Sequence, residues 1–201
     1  MLDARLRPLI DPPLNAAGRA LARLGVTANA LTFAGLALGL AGAVAIGFGE
    51  VWVGLALIIA NRVLDGLDGA VARASQPTLL GGYFDIVADF AFYVSIPLGF
   101  GVLDPANTLP ALVLVASFVL TGVSFLAFAV IAAERGVSTL AHGTKSFFYS
   151  TGLAEGAETI AVFIAMCLLP GWFALIAYGY AGLCVLTVFQ RSALAAVTFR
   201  N

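Results

Sequence analysis

Charge is what this chain has least of. Only 10% of its 201 residues are Asp, Glu, Lys or Arg, while 61% are hydrophobic, which excludes a water-soluble domain with an ordinary charged surface. The formal charge of −1 leaves no basic footprint for a nucleic-acid partner. The two cysteines, Cys167 and Cys184, fall in different apolar stretches and read as small buried hydrophobes rather than a disulfide. The single histidine, His142, lies in a polar loop and is given no role, so the thiols have no partner for a zinc site. The first 28 residues lack the apolar core of a cleaved signal peptide, because Asp3, Arg5, Arg7, Asp11, Pro12, Pro13, Arg19 and Arg23 interrupt them. No linker or low-complexity run divides the chain, and its second half has no counterpart to the DGLDG of the first. The repeated halves of many secondary transporters are therefore missing.

What is present is lipid-grade sequence. Windows of about 20 residues predict spans near 30–49, 51–73, 81–103, 109–133, 146–169 and 171–197. The expected fold is an all-α integral membrane protein whose six transmembrane helices occupy 29–201, preceded over 1–28 by an amphipathic juxtamembrane helix lying on the cytoplasmic face. Arg5, Arg7, Arg19, Arg23, Arg73, Arg135, Lys145, Arg191 and Arg200 cluster at alternate ends of these spans, and only Arg62 breaks the pattern. Positive-inside bias then puts both termini in the cytoplasm, with Trp52 and Trp172 at the outer interface. Glycine pairs such as Gly35 with Gly39 and Gly152 with Gly156 permit close helix approach. Each pair alone is ordinary membrane-helix composition, so a homodimer is allowed without its interface being located.

Four acids stand out against this background. Asp65 and Asp68, then Asp85 and Asp89, sit at spacings of three and four, where a carboxylate within a span costs about 2.5–3.5 kcal/mol and calls for a function. On a helix the first pair lies about 60° apart and the second about 40°, so each pair shares a face. The short connection 74–80 predicts that the two helices are antiparallel neighbours presenting all four acids to one volume. Oxygen donors without Cys or His suit Mg²⁺, Mn²⁺ or Ca²⁺. Two divalent ions balance four carboxylates, and such a pair grips a phosphate and stabilises both oxygens of an in-line displacement. Pairing with Arg62 and Arg73 is the alternative, but two arginines do not neutralise four aspartates. Gly69, Ala72 and Gly81 leave backbone open to a phosphate, and Arg73 offers it a planar fork.

At these residues the chain resembles the CDP-alcohol phosphotransferase family, whose pattern is matched by Asp65, Asp68-Gly69, Ala72-Arg73, Gly81, Asp85 and Asp89. Seven residues separate Arg73 from Gly81 where members of that family commonly have eight. Thr27 to Thr32, TANALT, is similar to the family's T-P-N-x-x-T with Ala28 replacing Pro. The resemblance implies transfer of a phosphoryl alcohol, such as phosphatidyl from CDP-diacylglycerol, to an acceptor hydroxyl with release of CMP. Carried over by position, it implies that Asp65, Asp68 and Asp85 hold two Mg²⁺ or Mn²⁺ ions, with Asp89 a ligand and the general base. It also puts Asn29, Thr32, Gly69, Arg73 and Gly81 at the CDP, in a bacterial cytoplasmic (inner) membrane.

Acceptor recognition is open at this level. A phosphorylated acceptor would need further cations, for which Lys145, Arg135 and Arg191 are the candidates. Glu155 and Glu158 either pair with Lys145 or Arg191, or bind acceptor hydroxyls or an amine. Two other functions also use intramembrane aspartates. A divalent-cation channel or transporter leaves Ala72, Arg73 and Gly81 unexplained, and a prenyl-transferring enzyme usually carries two separated Asp-rich motifs. A purely structural subunit accounts for least.

Overall fold

Two threonines start the helices that flank the acid motif. Thr27 Oγ1 accepts from the backbone N–H of Ala30 at 3.2 Å and Thr78 Oγ1 from that of Gly81 at 3.0 Å, each satisfying an otherwise orphaned donor of a first helical turn. The computed structural model describes residues 2–135 and 152–200, with side chains from residue 10 onward. In these residues the chain forms α1 (Leu2–Arg23), α2 (Ala28–Gly47), α3 (Val51–Ser75), α4 (Leu79–Leu103), α5 (Thr108–Glu134), α6 (Gly156–Leu168) and α7 (Phe173–Thr198). Single 3-10 turns at Pro105–Asn107 and Pro170–Trp172 lead into α5 and α7.

Five of the expected spans begin and end within two residues of α2, α3, α4, α5 and α7. Among the described residues, four helical stretches are long and apolar enough to cross a membrane: Ala28–Gly47, Leu79–Leu103, Pro105–Glu134 and Pro170–Thr198. α3 matches them in length at 25 residues but carries Arg62, Asp65, Asp68 and Arg73. α6 is 13 residues long, and the first part of the span expected at 146–169 lies outside the described residues. Large apolar side chains such as Phe48, Trp52, Val102, Trp172, Phe189 and Val197 are exposed on the outside of the bundle, the surface that lipid would cover.

The packing departs from expectation at one point. α2 packs extensively against both α3 and α4, whereas α3 and α4 meet chiefly through side chains, Arg62 with Asp89 and Phe92. The reason is the small-residue surface of α2. A Cβ at Gly42 would lie 3.2 Å from Leu57 Cβ and 3.3 Å from the Gly54 carbonyl oxygen, both on α3; one at Gly39 would lie 2.5 Å from Phe92 Cδ2 on α4. In the other direction, a Cβ at Gly99 of α4 would lie 2.5 Å from the Ala43 carbonyl oxygen. A short connection favours neighbouring helices, but a glycine-lined third helix admits closer backbone approach to each of them.

α4 then packs on α5 and α5 on α7, around a buried aromatic core. Phe92, Phe118 and Phe163 meet edge to face at 5.8 and 6.1 Å, and Phe100 stacks on Phe173 at 4.7 Å, geometries that satisfy the ring quadrupoles. α1 lies against α3, and a Cβ at Gly18 would meet Ala70 Cβ at 2.6 Å and its carbonyl carbon at 2.7 Å.

Candidate active site

The acids of α3 and α4 face one another beside the start of α2. Carboxylate oxygens of Asp65, Asp68 and Asp85 lie within 4.8 Å of one another. Asp68 is buried and accepts a 2.6 Å hydrogen bond from Thr32 Oγ1. The same hydroxyl lies 3.1 Å from the Ala28 carbonyl oxygen, so its one proton goes to the shorter, charge-assisted contact. Thr32 thereby joins the first turn of α2 to the acid motif. Three carboxylates converging without a sulfur or imidazole form a donor set that fits Mg²⁺ or Mn²⁺.

Asp89 stands apart from this trio. Its Oδ1 accepts from Arg62 Nη1 at 3.0 Å, and the same nitrogen lies 3.5 Å from Asp65 Oδ2. The pairing weighed against a metal therefore exists for Arg62, but it engages two of the four acids. Arg73 turns the other way, donating from Nε and Nη2 to Asn15 Oδ1 of α1 at 3.2 and 3.0 Å. A small pocket of about 10 Å³ lies behind the acids, among Thr32, Asn61, Arg62, Asp65, Asp68 and Asp89.

In front of the acids opens a cavity of about 1020 Å³. Every residue expected at the nucleotide, Asn29, Thr32, Gly69, Arg73 and Gly81, lines it, as do all four aspartates. Gly81 is constrained here, because a Cβ would come 3.2 Å from Asn29 Oδ1 and 3.0 Å from Thr78 Oγ1. The cavity continues past Tyr93 and Phe118 to Arg191 and Glu155.

The three cations expected at the acceptor part company. Arg191 is buried, donates from Nη1 to Ser124 Oγ at 2.7 Å and to the Thr121 carbonyl oxygen at 2.9 Å, and lines the cavity. Arg135 is exposed, with its guanidinium 5.8 Å from the Phe199 ring centroid, and is not among the lining residues. Lys145 and His142 lie outside the described residues. Glu155 Oε1 accepts from the Gly152 N–H at 2.8 Å, ordering the start of α6 beside the cavity.

A family model described as CDP-alcohol phosphatidyltransferase matches residues 25–193. The chain belongs to this family. The enzyme class expected from the aspartate motif, a CDP-alcohol phosphotransferase of membrane phospholipid synthesis, follows. Inner membrane protein YnjF of Escherichia coli (strain K12) is 43% identical over 192 residues, covering 95% of this chain and 93% of that protein. An archaetidylinositol phosphate synthase of Pyrococcus horikoshii is 34% identical over 98 residues, about half of each chain (48% and 52%). Among solved structures, Mycobacterium tuberculosis phosphatidylinositol phosphate synthase (PgsA1) with CDP-DAG bound superposes with a TM-score of 0.72 at 19% identity, covering 91% of this chain and 93% of that one. The same synthase with manganese and citrate gives 0.66 at 19% identity, over 90% and 87%. At that identity the likeness is one of fold.

Sequence reasoning missed two polar residues of the site, Asn61 and Asn15, and weighed a third, Arg62, only as an alternative to metal. Arg62 precedes Asp65 by three positions, one turn on the same helix face, which was signal enough. Asn61 is an uncharged polar residue inside an apolar run, a weaker sign. Asn15 carried none, since nothing in the sequence told which face of α1 meets α3.

Proposed function

We propose that this chain transfers a phosphoryl-alcohol group, phosphatidyl from CDP-diacylglycerol, to the hydroxyl of an acceptor alcohol and releases CMP. One observation carries the reading: three carboxylates converge on the floor of a cavity that also reaches the expected nucleotide residues and a buried arginine. Asp65, Asp68 and Asp85 hold two Mg²⁺ or Mn²⁺ ions, with Asp89 as further ligand and base. When bound, such ions polarise a phosphoryl oxygen and stabilise charge on the entering and leaving oxygens.

The chain's own residues supply the remainder. Thr32 fixes the Asp68 carboxylate, Asn29, Gly69, Arg73 and Gly81 receive the CDP, and Asp89 takes the acceptor's proton once the hydroxyl is within hydrogen-bond reach. Arg191 binds the acceptor, which suits an anionic group, and Lys145 is assigned with it, while Arg135 lies off the cavity wall. The cytoplasmic face of a bacterial inner membrane, six spans with both termini inside, and the segment 1–28 lying on that face before a membrane domain over 29–201 complete the proposal. A homodimer is compatible with it. Diacyl chains then remain in lipid while CDP enters from water.

The test is CMP release by the full-length protein in detergent with Mg²⁺, CDP-diacylglycerol and a panel of free and phosphorylated polyols. Asp89→Asn is expected to abolish turnover with donor binding retained, and Asp65→Asn to shift the Mg²⁺ titration. Mg²⁺ flux in liposomes lacking any CDP-lipid, with no CMP from any acceptor, would favour a cation pathway instead.

A further inference from the structure

Arg62 sits inside a span, and its surroundings are built to hold it there. Its Nε donates a 2.6 Å hydrogen bond to Asn61 Oδ1. Asn61 is buried and is itself fixed, its Nδ2 donating to the Gly35 carbonyl oxygen at 2.7 Å. The guanidinium carbon lies 4.4 Å from the centroid of the Phe92 ring, a cation–π distance. Phe92 occupies that place only because α2 has glycine at 39, where a Cβ would come 2.5 Å from Phe92 Cδ2 and 3.1 Å from Asn61 Nδ2. Three helices thus build one platform, and from it the guanidinium reaches Asp89 and Asp65.

A residue needed only to neutralise charge would not require such a mount. The platform fixes where the positive charge stands, on the Asp89 side of the trio of Asp65, Asp68 and Asp85. We infer that Arg62 is a positioning residue for Asp89, holding that carboxylate out of the trio and competing with divalent metal for it. The inference rests on the proposed role of Asp89 as base. A carboxylate drawn fully onto metal is a poor proton acceptor; one shared with a guanidinium at a fixed position keeps an oxygen turned to the acceptor.

Competition and positioning together give a signature that simple loss of structure does not. In Arg62→Gln, Mn²⁺ titrated alone against the full-length protein, followed by the loss of its free paramagnetic signal, is expected to bind severalfold more tightly. In the same variant kcat for CMP release falls by about a hundredfold, the lower end of what a positioned base contributes, with the donor KM little changed. In the Asp89→Asn background, where turnover is already lost, the same substitution tightens Mn²⁺ binding much less, as coupling through Asp89 demands. Arg62→Lys keeps the charge without the fork, falls between wild type and Gln in both readouts, and replaces Gln if that variant does not fold. Mn²⁺ binding that is unchanged or weaker in a folded variant, or tightened as much in the Asp89→Asn background as in wild type, overturns the inference. Failure of the wild-type chain to release CMP would instead sink the proposed function, while the Mn²⁺ titration still decides whether arginine and metal compete.

Discussion

Thr32 Oγ1 and Asp68 Oδ2 are 2.6 Å apart, tying the start of α2 to a buried carboxylate on α3. A hydrogen bond to a charged group contributes roughly 1.5–3 kcal/mol, here to the orientation of a metal-ligand candidate. Thr32→Val keeps the shape and removes the donor, so Mn²⁺ affinity should fall by about tenfold, near the lower end of that range, with thermal stability little changed. Thr32→Ser restores the hydroxyl and should restore binding. A Val variant that titrates like wild type would show the contact to be incidental.

Gly99→Ala places a methyl 2.5 Å from the Ala43 carbonyl oxygen, a backbone atom that has no rotamer to escape into. Overpacking of this kind costs about 1–3 kcal/mol, and the thermal midpoint in detergent should drop accordingly. Gly179 has nothing within 4 Å of the corresponding position, so Gly179→Ala should cause no loss. Equal melting of the two variants would mean that α2 and α4 are not keyed together at Gly99.

The turn from α3 to α4 runs through Gln76 at φ 96° and Pro77. Among the described residues Gln76 is the only non-glycine with positive φ, and strain of this type costs on the order of 1–3 kcal/mol. It sits in the connection that is one residue shorter than usual in the family. Gln76→Gly should raise the thermal midpoint and leave CMP release intact, whereas Gln76→Ala should not raise it. A Gly variant no more stable than wild type would mean that the turn carries no strain.

Much of this was legible in the chain itself. Apolar runs fixed five helices to within two residues of their ends, and the spacing of the aspartates foretold that acids of α3 and α4 converge, as Asp65, Asp68 and Asp85 do. Arrangement was harder to read, because a short loop argues for adjacency while Gly35, Gly39 and Gly42 argue for intrusion by α2, and sequence does not rank the two. Arg62 was weighed only as an exception to charge orientation and as a rival to metal at the acids, although its register with Asp65 placed it on the acid face as a partner beside one. Arg191 and Arg135 looked equivalent as cations near span ends; burial, which separates them, depends on how α5 meets α7.

The acids of α3 and α4 confront each other over a helix that bears no acid of its own. Because α2 turns Gly42 to α3 and Gly39 to Phe92 of α4, its bare backbone sets how near each flank can come. It acts as a shim: a methyl added at Gly39 would press on Phe92 and Asn61 and so disturb the mount of Arg62 without altering any of the acids. The alignment of the acids is therefore set in part by a residue that carries no functional group of its own.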